Sequence, residues 1–318
     1  MIITLTLNPS LDRTIEVPVL QRGEVIRATS SGREAGGKGV NVSRALLSNG
    51  VATLAVVALG GAVGDELAAL LKATGLDLSV VQVAEETRSN VTLTEPDGTT
   101  TKINEAGAAL SISELSGVEE TLLELAQPGD WVVLSGSLPT AVPVGTYASL
   151  VRRLTTMDVK VAVDTSGQAL TEAIAAGPTL VKPNREELGE AVDRPIDSID
   201  DAIDAARILQ RRGARAVLAS LGADGALLVE RDVVAGRCTV ERPRSTVGAG
   251  DCLLAGFLSA GGMGSDALLA ALRWASAAVA LPGSGVPTPA EIAALQPDLI
   301  DDIEQWGLSM SLGGNASQ

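Results

Sequence analysis

The stretch with the clearest chemistry is a short glycine turn that leads into an apolar helix, at residues 245–257. Gly248, Ala249 and Gly250 stand directly before Asp251. The free N–H groups of such a turn, and the partial positive charge at a helix start, favour a bound anion. A carboxylate there would repel a resting phosphate. We therefore interpret Asp251 as a base that takes a proton from a hydroxyl attacking phosphorus. The alternative is a helix N-cap.

A second glycine-rich segment precedes a predicted helix at residues 40–47. Its pattern, Gly32 with Gly37 and Lys38 five and six residues later, is close to a P-loop, but Gly39 stands where serine or threonine would hold magnesium. We exclude a P-loop and keep the physical argument: glycines, a lysine and a helix start predict a second anion site. The alternative is a flexible turn with a surface lysine. Two such sites suggest two phosphate-bearing molecules.

Two further turns follow predicted strands. Lys182 ends one strand, and Asn184 and Glu187 are three residues apart on the helix that begins there, so they share a face. Oxygen ligands of this kind suit Mg²⁺, whereas a capping box explains the same spacing without a metal. The second turn, at residues 220–225, contains two glycines and on its own is better explained as a plain loop.

The composition excludes several classes of protein. The 318 residues are 46% hydrophobic, enough for a sizeable core, but only 2% aromatic, with a net charge of −15 and no histidine. These values argue against a nucleic-acid partner, a polybasic membrane anchor, and histidine-based catalytic or metal sites. Cys238 and Cys252 stand far apart and have no metal-ligand spacing, and we expect no disulfide framework. The longest apolar run, residues 51–63, is too short to span a bilayer, so we expect a cytoplasmic protein.

Predicted strands and helices alternate along the chain, which favours an α/β fold with a doubly wound, mostly parallel sheet flanked by helices. Ligands bind beyond the carboxyl ends of such strands. The polar residues that lie just past predicted strand ends are Asp12, Ser137, Asp164 and Asn184. The predicted strands of the main sheet span residues 2–7, 53–59, 131–135, 159–164, 179–182 and 216–220, with short edge strands at 226–230, 233–235 and 239–241.

A small second sheet is predicted from segments with period-2 polarity. A hairpin spans residues 89–95 and 99–104, and short half-polar strands are predicted at 14–17 and 24–27, whereas 32–39 is predicted as a loop. We expect the whole chain, residues 1–318, to be one domain, with a lid sheet from about 13–28 and 88–105. This sheet could cover an active site or form a dimer contact. The small, polar end from residue 307 is expected to fray.

Taken together, these segments resemble the PfkB branch of the ribokinase-like sugar kinases over nearly the whole chain. The resemblance is carried by Val247 to Asp251 together with the Gly-Gly-Lys-Gly run that ends at Gly39. It implies an ATP-dependent kinase that uses Mg²⁺ and has a β-sheet lid. It also implies that Asp251 is the base and that the N–H groups of Gly248, Ala249 and Gly250 stabilise developing charge.

Within that family the chain is similar to the group of 1-phosphofructokinases and tagatose-6-phosphate kinases. The shared motifs are the Asn-Pro-Ser-x-Asp turn at 8–12, Thr-Arg at 87–88 and Ser-Gly-Ser-Leu-Pro at 135–139. The resemblance implies that the sugar hydroxyls contact Asp12, Gly37 and Asn41, and that the sugar phosphate contacts Lys38, Arg88 and Ser137. It implies that the nucleotide is lined by Lys182, Asn184, Ser220, Gly222 and Gly225, and its adenine by Ala277, Ala280 and Gly283. Magnesium would be positioned by Asn184 and Glu187, largely through water.

The resemblance also bears on the substrate. The lid sequence at 101–105 is similar to that of 1-phosphofructokinases, and related 6-phosphofructokinases tend to lack the lysine at Lys38. We therefore expect fructose 1-phosphate as the acceptor, with tagatose 6-phosphate as the alternative. Ala106-Gly107-Ala108 departs from the group, which often has proline after the glutamate. A non-catalytic sugar-phosphate sensor and a ribose or nucleoside kinase are the competing classes.

Overall fold

Strands and helices alternate through most of the chain. This computed structural model describes residues 1–303 and 306–308; the rest of the end predicted to fray, residues 309–318, lies outside the described residues. The strands are β1 (Ile2–Thr6), β2 (Ser10–Glu16), β3 (Ser30–Gly36), β4 (Thr53–Leu59), β5 (Asp77–Gln82), β6 (Arg88–Thr94), β7 (Thr100–Asn104), β8 (Trp131–Ser135), β9 (Lys160–Asp164), β10 (Leu180–Val181), β11 (Ala216–Ser220), β12 (Ala226–Val229), β13 (Val233–Arg237) and β14 (Asp298–Leu299). The helices are α1 (Lys38–Ser48), α2 (Gly61–Ala73), α3 (Ile112–Leu125), α4 (Thr146–Thr156), α5 (Gly167–Ala175), α6 (Arg185–Val192), α7 (Ile199–Arg212), α8 (Ala249–Ser259), α9 (Gly264–Val279) and α10 (Pro289–Ala293).

The main sheet has the order β14-β13-β12-β11-β10-β9-β8-β1-β4-β5. Pairing is parallel from β5 to β11 and antiparallel from β11 to β14. This confirms the predicted α/β class with a mostly parallel sheet. The strands are apolar on both faces because helices cover both: Val132 and Leu134 of β8 pack into one core, and Val133 packs into the other. No helix within the described residues is both long enough and apolar enough to cross a bilayer.

The second sheet has the order β3-β2-β6-β7 and lies outside the main sheet. Its first strand differs from the sequence prediction, because residues 24–27 form no strand and the predicted loop at 32–39 contributes β3 instead. The sequence of β3 has no apolar alternation, and in it only Ala35 and Gly36 are buried. Its position depends on backbone pairing with β2, which hydrophobic patterning cannot reveal. We call this sheet the lid sheet.

Three other elements differ from the sequence prediction. Residues 239–241 form no strand, while β5 and β14 were not predicted. β5 is the edge strand of the main sheet beside β4 and is only half-buried, so it lacks the continuous apolar run that marks the central strands. Asp12, predicted to follow a strand of the main sheet, lies instead within β2 of the lid sheet.

Helices α8 and α9 pack closely because Gly256 lies at their contact. A β-carbon on Gly256 would lie 2.8 Å from the Ala270 carbonyl oxygen and 2.8 Å from Cγ of Trp274. The helix that carries Asp251 is therefore held against its neighbour by a contact that only glycine permits.

We predict that Gly256→Ala lowers the free energy of unfolding by about 1–3 kcal/mol, the usual cost of overpacking, although alanine is the better helix former. The matched control is Gly117→Ala in α3, where a β-carbon would meet nothing within 4 Å. That substitution should stabilise the protein by roughly 0.5–1 kcal/mol. Denaturant unfolding measures both, and equal effects of the two substitutions would contradict the packing argument.

Candidate active site

The predicted site residues gather at the carboxyl ends of the central parallel strands. Asp164 ends β9, Lys182 follows β10, and Ser220 ends β11. Helices α1 and α8 begin at the same edge: Asn41 in the first turn of α1 donates from Nδ2 to Oδ2 of Asp251 at 2.8 Å. This is the location expected for a ligand site in an open parallel sheet.

Asp251 lies in the first turn of α8 and is only 7% exposed. The helix begins at Ala249 with Gly248 as its N-cap, so the alternative interpretation of Asp251 as the cap is wrong. Burial raises the pKa of the Asp251 carboxyl to about 7, and the nearby carboxylate of Asp164 adds to the rise. The hydrogen bond from Asn41 and the charges of two lysines partly oppose it. Asp251 is thus a carboxyl group poised to take up a proton near neutral pH.

The glycine turn before Asp251 has the backbone that an anion site needs. Gly248 has a φ of 76°, in the left-handed region that favours glycine. The Ala249 amide donates to the Thr246 carbonyl at 3.3 Å, so it is already engaged. A β-carbon on Gly250 would lie 3.3 Å from Nζ of Lys182. Glycine at this position therefore lets the turn lie directly beside a lysine ammonium.

Asp164 is the centre of a charged cluster for which the sequence suggested a position but no role. Its side chain is fully buried, and its two oxygens contact different lysines: Lys38 Nζ lies 2.9 Å from Oδ1 and Lys182 Nζ lies 3.2 Å from Oδ2. Burial alone would raise the pKa of Asp164, but the two ammonium groups outweigh burial and lower it. The available signal was an acidic residue at the end of an apolar strand, which is costly to bury unless it is paired.

Lys38, predicted to bind the sugar phosphate, belongs to the charged cluster around Asp164. Its Nζ also lies 3.5 Å from Oε1 of Glu187. The carboxylate of Asp164 makes the largest contribution to raising the pKa of Lys38, against burial and with help from Glu187 and Asp251. The predicted sugar-phosphate lysine of the second anion site is therefore held at the carboxylates of Asp164 and Glu187.

The polar face of the lid sheet holds the other predicted sugar contacts. Asp12 accepts from Ser10 Oγ at 2.7 Å and from Asn90 Nδ2 at 2.9 Å. A β-carbon on Gly36 would overlap the Asp12 carboxylate, so the glycine run also makes room for this side chain. Asn90, which the sequence analysis missed, is the register partner of Asp12 in β6.

Arg88 and Ser137 are connected through Asn8. Arg88 donates to the Asn8 carbonyl at 3.2 Å and to the Glu105 carbonyl at 3.3 Å, and Asn8 Nδ2 donates to Ser137 Oγ at 3.0 Å. Burial lowers the pKa of Arg88, and Asp12 opposes that shift.

Several buried polar atoms of the described residues have no hydrogen-bond partner, and three of them belong to the predicted sugar contacts and their neighbour Asn90. These three are Arg88 Nε, Asn41 Oδ1 and Asn90 Oδ1. Such atoms are rare in folded proteins, and here they supply one donor and two acceptors. A ligand rich in hydroxyl and phosphate groups would satisfy them.

Asn184 and Glu187 form the capping box that was the alternative to a metal site. Glu187 N–H donates to Asn184 Oδ1 at 2.7 Å, and the Asn184 N–H donates to Glu187 Oε2 at 2.9 Å. The second carboxylate oxygen of Glu187 remains directed at Lys38.

A magnesium ion carried by a nucleotide fits the same residues. The described residues contain no group of three or more His, Cys, Asp or Glu side chains that could hold a metal. Mg²⁺ is usually held by one or two carboxylates, with phosphates and water completing its shell. Glu187 and Asp164, whose carboxylate oxygens both contact the Lys38 ammonium, meet that need.

The nucleotide-side residues are only partly brought together. Asn184 and Ser220 form an isolated parallel bridge, and Gly222 and Gly225 have φ values of 64° and 115° in the turn that follows. Ala277 is 2% exposed and packs in the apolar core, while Ala280 and Gly283 follow it at the end of α9 and in the next loop. Their adenine role stays a prediction.

The loop after α9 nevertheless lies near the glycine turn and the lid. Ser284 donates to Oε2 of Glu34 in β3 at 2.7 Å, and its Cα lies 3.8 Å from the position of a β-carbon on Gly248. The lid sheet and the start of α8 thus meet at one loop.

Comparison with known sequences agrees with this arrangement. The sequence pattern of the pfkB family carbohydrate kinases matches residues 5–291, and the chain belongs to that family. It is 40% identical over 269 residues to 1-phosphofructokinase of Xanthomonas campestris pv. campestris, covering 81% of this chain and 83% of that protein. It is 38% identical over 305 residues to 1-phosphofructokinase of Rhodobacter capsulatus, covering 92% and 95%.

The chain also matches a 6-phosphofructokinase and several solved structures. ATP-dependent 6-phosphofructokinase isozyme 2 of Escherichia coli is 36% identical over 261 residues, covering 80% of this chain and 83% of that protein. The crystal structure of phosphofructokinase-2 from Escherichia coli in complex with potassium superposes with a TM-score of 0.87 at 32% identity, covering 92% and 97%. Arabidopsis thaliana ribokinase shares the fold, with a TM-score of 0.75 at 23% identity and coverage of 92% and 97%. The predicted ribokinase-like fold is confirmed.

We predict that Asp251→Asn is more stable than the unaltered protein at pH 8. The folded-state pKa is raised to about 7 from 3.8, so between those two pH values the native carboxyl holds its proton while the unfolded one has lost it. The unaltered protein therefore loses stability as pH rises from about 4 to 7. The difference between the variants should grow over that range to on the order of 2–4 kcal/mol and then level off.

Asp266→Asn is the matched control, because Asp266 is exposed at the same helix position of α9. Unfolding of all three proteins across pH 4–8 is the measurement. A difference for Asp251→Asn that does not change with pH would show that the Asp251 carboxyl is not perturbed.

Proposed function

We propose that this chain is a 1-phosphofructokinase. It transfers the γ-phosphoryl group of ATP to the 6-hydroxyl of fructose 1-phosphate, giving fructose 1,6-bisphosphate and ADP. The observation that carries the proposal is the buried Asp251 carboxyl at the start of α8, beside the ammonium groups of Lys38 and Lys182. The names of several relatives at 34–40% identity support the same activity.

Asp251 acts as the general base. A pKa of about 7 lets the carboxylate be present at neutral pH and still accept a proton well. The hydrogen bond from Asn41 fixes one carboxylate oxygen and leaves the other for the attacking hydroxyl. Because both groups lie in first turns of helices, the acceptor alcohol meets a rigid base.

Charge on the moving phosphoryl group is stabilised by the N–H groups at Gly248, Ala249 and Gly250. With Ala249 engaged at 3.3 Å, the larger share falls to the other amides and to Lys182, which lies against Gly250. Fixed donors of this kind are already oriented before the reaction, so little reorganisation is needed. The helix dipole of α8 adds to the same field.

We place the nucleotide along Lys182, Asn184, Ser220, Gly222 and Gly225, with adenine near Ala280 and Gly283. Asn184 and Glu187 position Mg²⁺ largely through water, and Asp164 balances the lysines beside it. The metal, when bound with the nucleotide, neutralises charge on the β- and γ-phosphates. Asn184 serves this role while its side chain caps α6.

The sugar phosphate occupies the space between the lid sheet and α1. Arg88, with a free Nε, contacts its phosphate together with Ser137 and Lys38, and Asp12, Gly37 and Asn41 contact its hydroxyls. A dianion needs local cations in a chain of net charge −15. Cys238 and Cys252 are free thiols, as is usual in a reducing compartment, and we place the reaction in the cytoplasm.

The proposal is tested by ADP release across fructose 1-phosphate, tagatose 6-phosphate, fructose 6-phosphate and ribose. Fructose 1-phosphate should give the highest kcat/KM, and Asp251→Asn should lower kcat by roughly 10²–10⁴ while ATP still binds. Asp266→Asn should leave turnover unchanged. A higher kcat/KM for another sugar would reject the substrate, and full turnover by Asp251→Asn would reject the base.

We further propose that the chain forms a homodimer through the outer lid face, the apolar side of the lid sheet. Ile15 is the register partner of Leu93, and Val91 is the partner of Ile103. At the base of this face Leu11 is buried, whereas Ile103 is 55% exposed. Apolar side chains that remain exposed to solvent next to buried ones are typical of a protein–protein contact.

Ile103→Glu should convert a dimer into a monomer in sedimentation experiments, because a charge would be buried at the contact. Met263→Glu is the control: Met263 is also exposed, but its neighbour Gly262 packs against Trp131 at the start of β8, the edge opposite the site. A monomeric unaltered protein, or a dimer that survives Ile103→Glu, would contradict the lid interface.

A further inference from the structure

Two carboxylate oxygens from different elements converge on one ammonium group. Oδ1 of Asp164, at the end of β9, lies 2.9 Å from Lys38 Nζ, and Oε1 of Glu187, in the first turn of α6, lies 3.5 Å from the same nitrogen. We call the space between these two oxygens the cation seat. In the structure the seat holds a cation that belongs to the chain.

Asp164 does not depend on Lys38 for its counter-ion. Lys182 lies 3.2 Å from the other oxygen and its side chain is 4% exposed, whereas the side chain of Lys38 is 37% exposed. The buried lysine is enclosed by its neighbours, whereas the half-exposed one has a flexible four-carbon stem that can reach into solvent. Lys38 can therefore leave the seat without stranding a buried charge.

Glu187 is held in place independently of Lys38 as well. Its Oε2 accepts from the Asn184 N–H at 2.9 Å and its own N–H donates to Asn184 Oδ1. The capping box thus fixes the carboxylate and leaves Oε1 directed at the seat. When Lys38 moves away, two fixed carboxylate oxygens remain, and they can bind another cation that prefers oxygen ligands.

We propose that the cation seat is used in turn by two occupants: the Lys38 ammonium in the nucleotide-free chain, and the Mg²⁺ of the bound nucleotide once a sugar phosphate has drawn Lys38 away. This inference rests on the proposed function, because it takes Lys38 as a sugar-phosphate contact. The seat cannot hold both cations, since two positive charges placed between the same pair of oxygens would repel each other strongly. Sugar phosphate and magnesium nucleotide therefore strengthen each other's binding.

The first experiment measures fructose 1-phosphate binding by calorimetry in EDTA, without nucleotide. Glu187→Gln weakens the hold on Lys38 but keeps the capping box, because glutamine caps as glutamate does. It should tighten sugar-phosphate binding by roughly three- to tenfold, within the usual range for coupled sites. The matched control is Glu186→Gln, which removes the same charge from the same helix turn on an exposed side chain. Equal effects of the two variants would overturn the proposal.

The second experiment measures the affinity for the Mn²⁺ complex of AMP-PNP with and without saturating fructose 1-phosphate. In the unaltered protein the sugar phosphate should tighten binding at least about fivefold. Lys38→Met should bind the complex tightly without sugar phosphate, and fructose 1-phosphate should then change its affinity less than twofold. The control is Lys72→Met, an exposed lysine in α2, which should behave as the unaltered protein. The same sugar-dependent gain in Lys38→Met and the unaltered protein would overturn the proposal.

The two failures are distinguishable. If fructose 1-phosphate does not bind the unaltered protein, the proposed substrate is wrong, and the seat is judged by Lys38→Met against Lys72→Met alone. Tighter Mn²⁺–AMP-PNP binding by Lys38→Met then supports competition for the seat, and equal binding overturns it. If fructose 1-phosphate binds without changing nucleotide affinity, the seat proposal fails and the kinase assignment stands.

Discussion

The buried carboxylate of Asp164 is the constraint on which the rest of the site depends. A fully buried charge is tolerated only when it is paired, and Asp164 is paired twice, with Lys38 from α1 and Lys182 from the end of β10. These ion pairs connect three elements that are distant in sequence. They also place two ammonium groups beside the glycine turn of α8, where a phosphoryl group would carry its charge.

Two aspartates in one site have opposite titration behaviour for a common reason. Asp164 has both lysines in direct contact and its pKa is lowered, whereas Asp251 has a neutral amide partner and its pKa is raised to about 7. The ionised Asp164 contributes to that rise. One carboxylate thus stays ionised between cations and the other can take up a proton near neutral pH, a division produced by which side chains lie next to each.

Elements with strong patterns could be predicted from the sequence, and elements that depend on partners could not. The strands of the main sheet are recognisable in the sequence by their continuous apolar runs, and the Gly248–Asp251 turn by its glycines. β3 does not, because only its pairing with β2 makes it a strand. The role of Asp164 could not be predicted either, because it depends on the two lysines that contact the carboxylate in the folded protein. The spacing of Asn184 and Glu187 suited a cap and a metal alike, and the structure shows the cap.

The pairing of β2 with β6 has a consequence for how the lid can evolve. Asp12 is aligned with Asn90 and Ser10 with Arg88, while Leu11, Ile15, Val91 and Leu93 alternate with them and face the other side of the sheet. A one-residue insertion or deletion within either strand would turn its remaining side chains to the opposite surface. Such a change would turn the carboxylate of Asp12 or the amide of Asn90 to the outer surface, and isoleucine or valine to the polar one. Changes of chain length in the lid are therefore tolerable at its connecting loops but would exchange a polar surface for a hydrophobic one if they fell inside the strands.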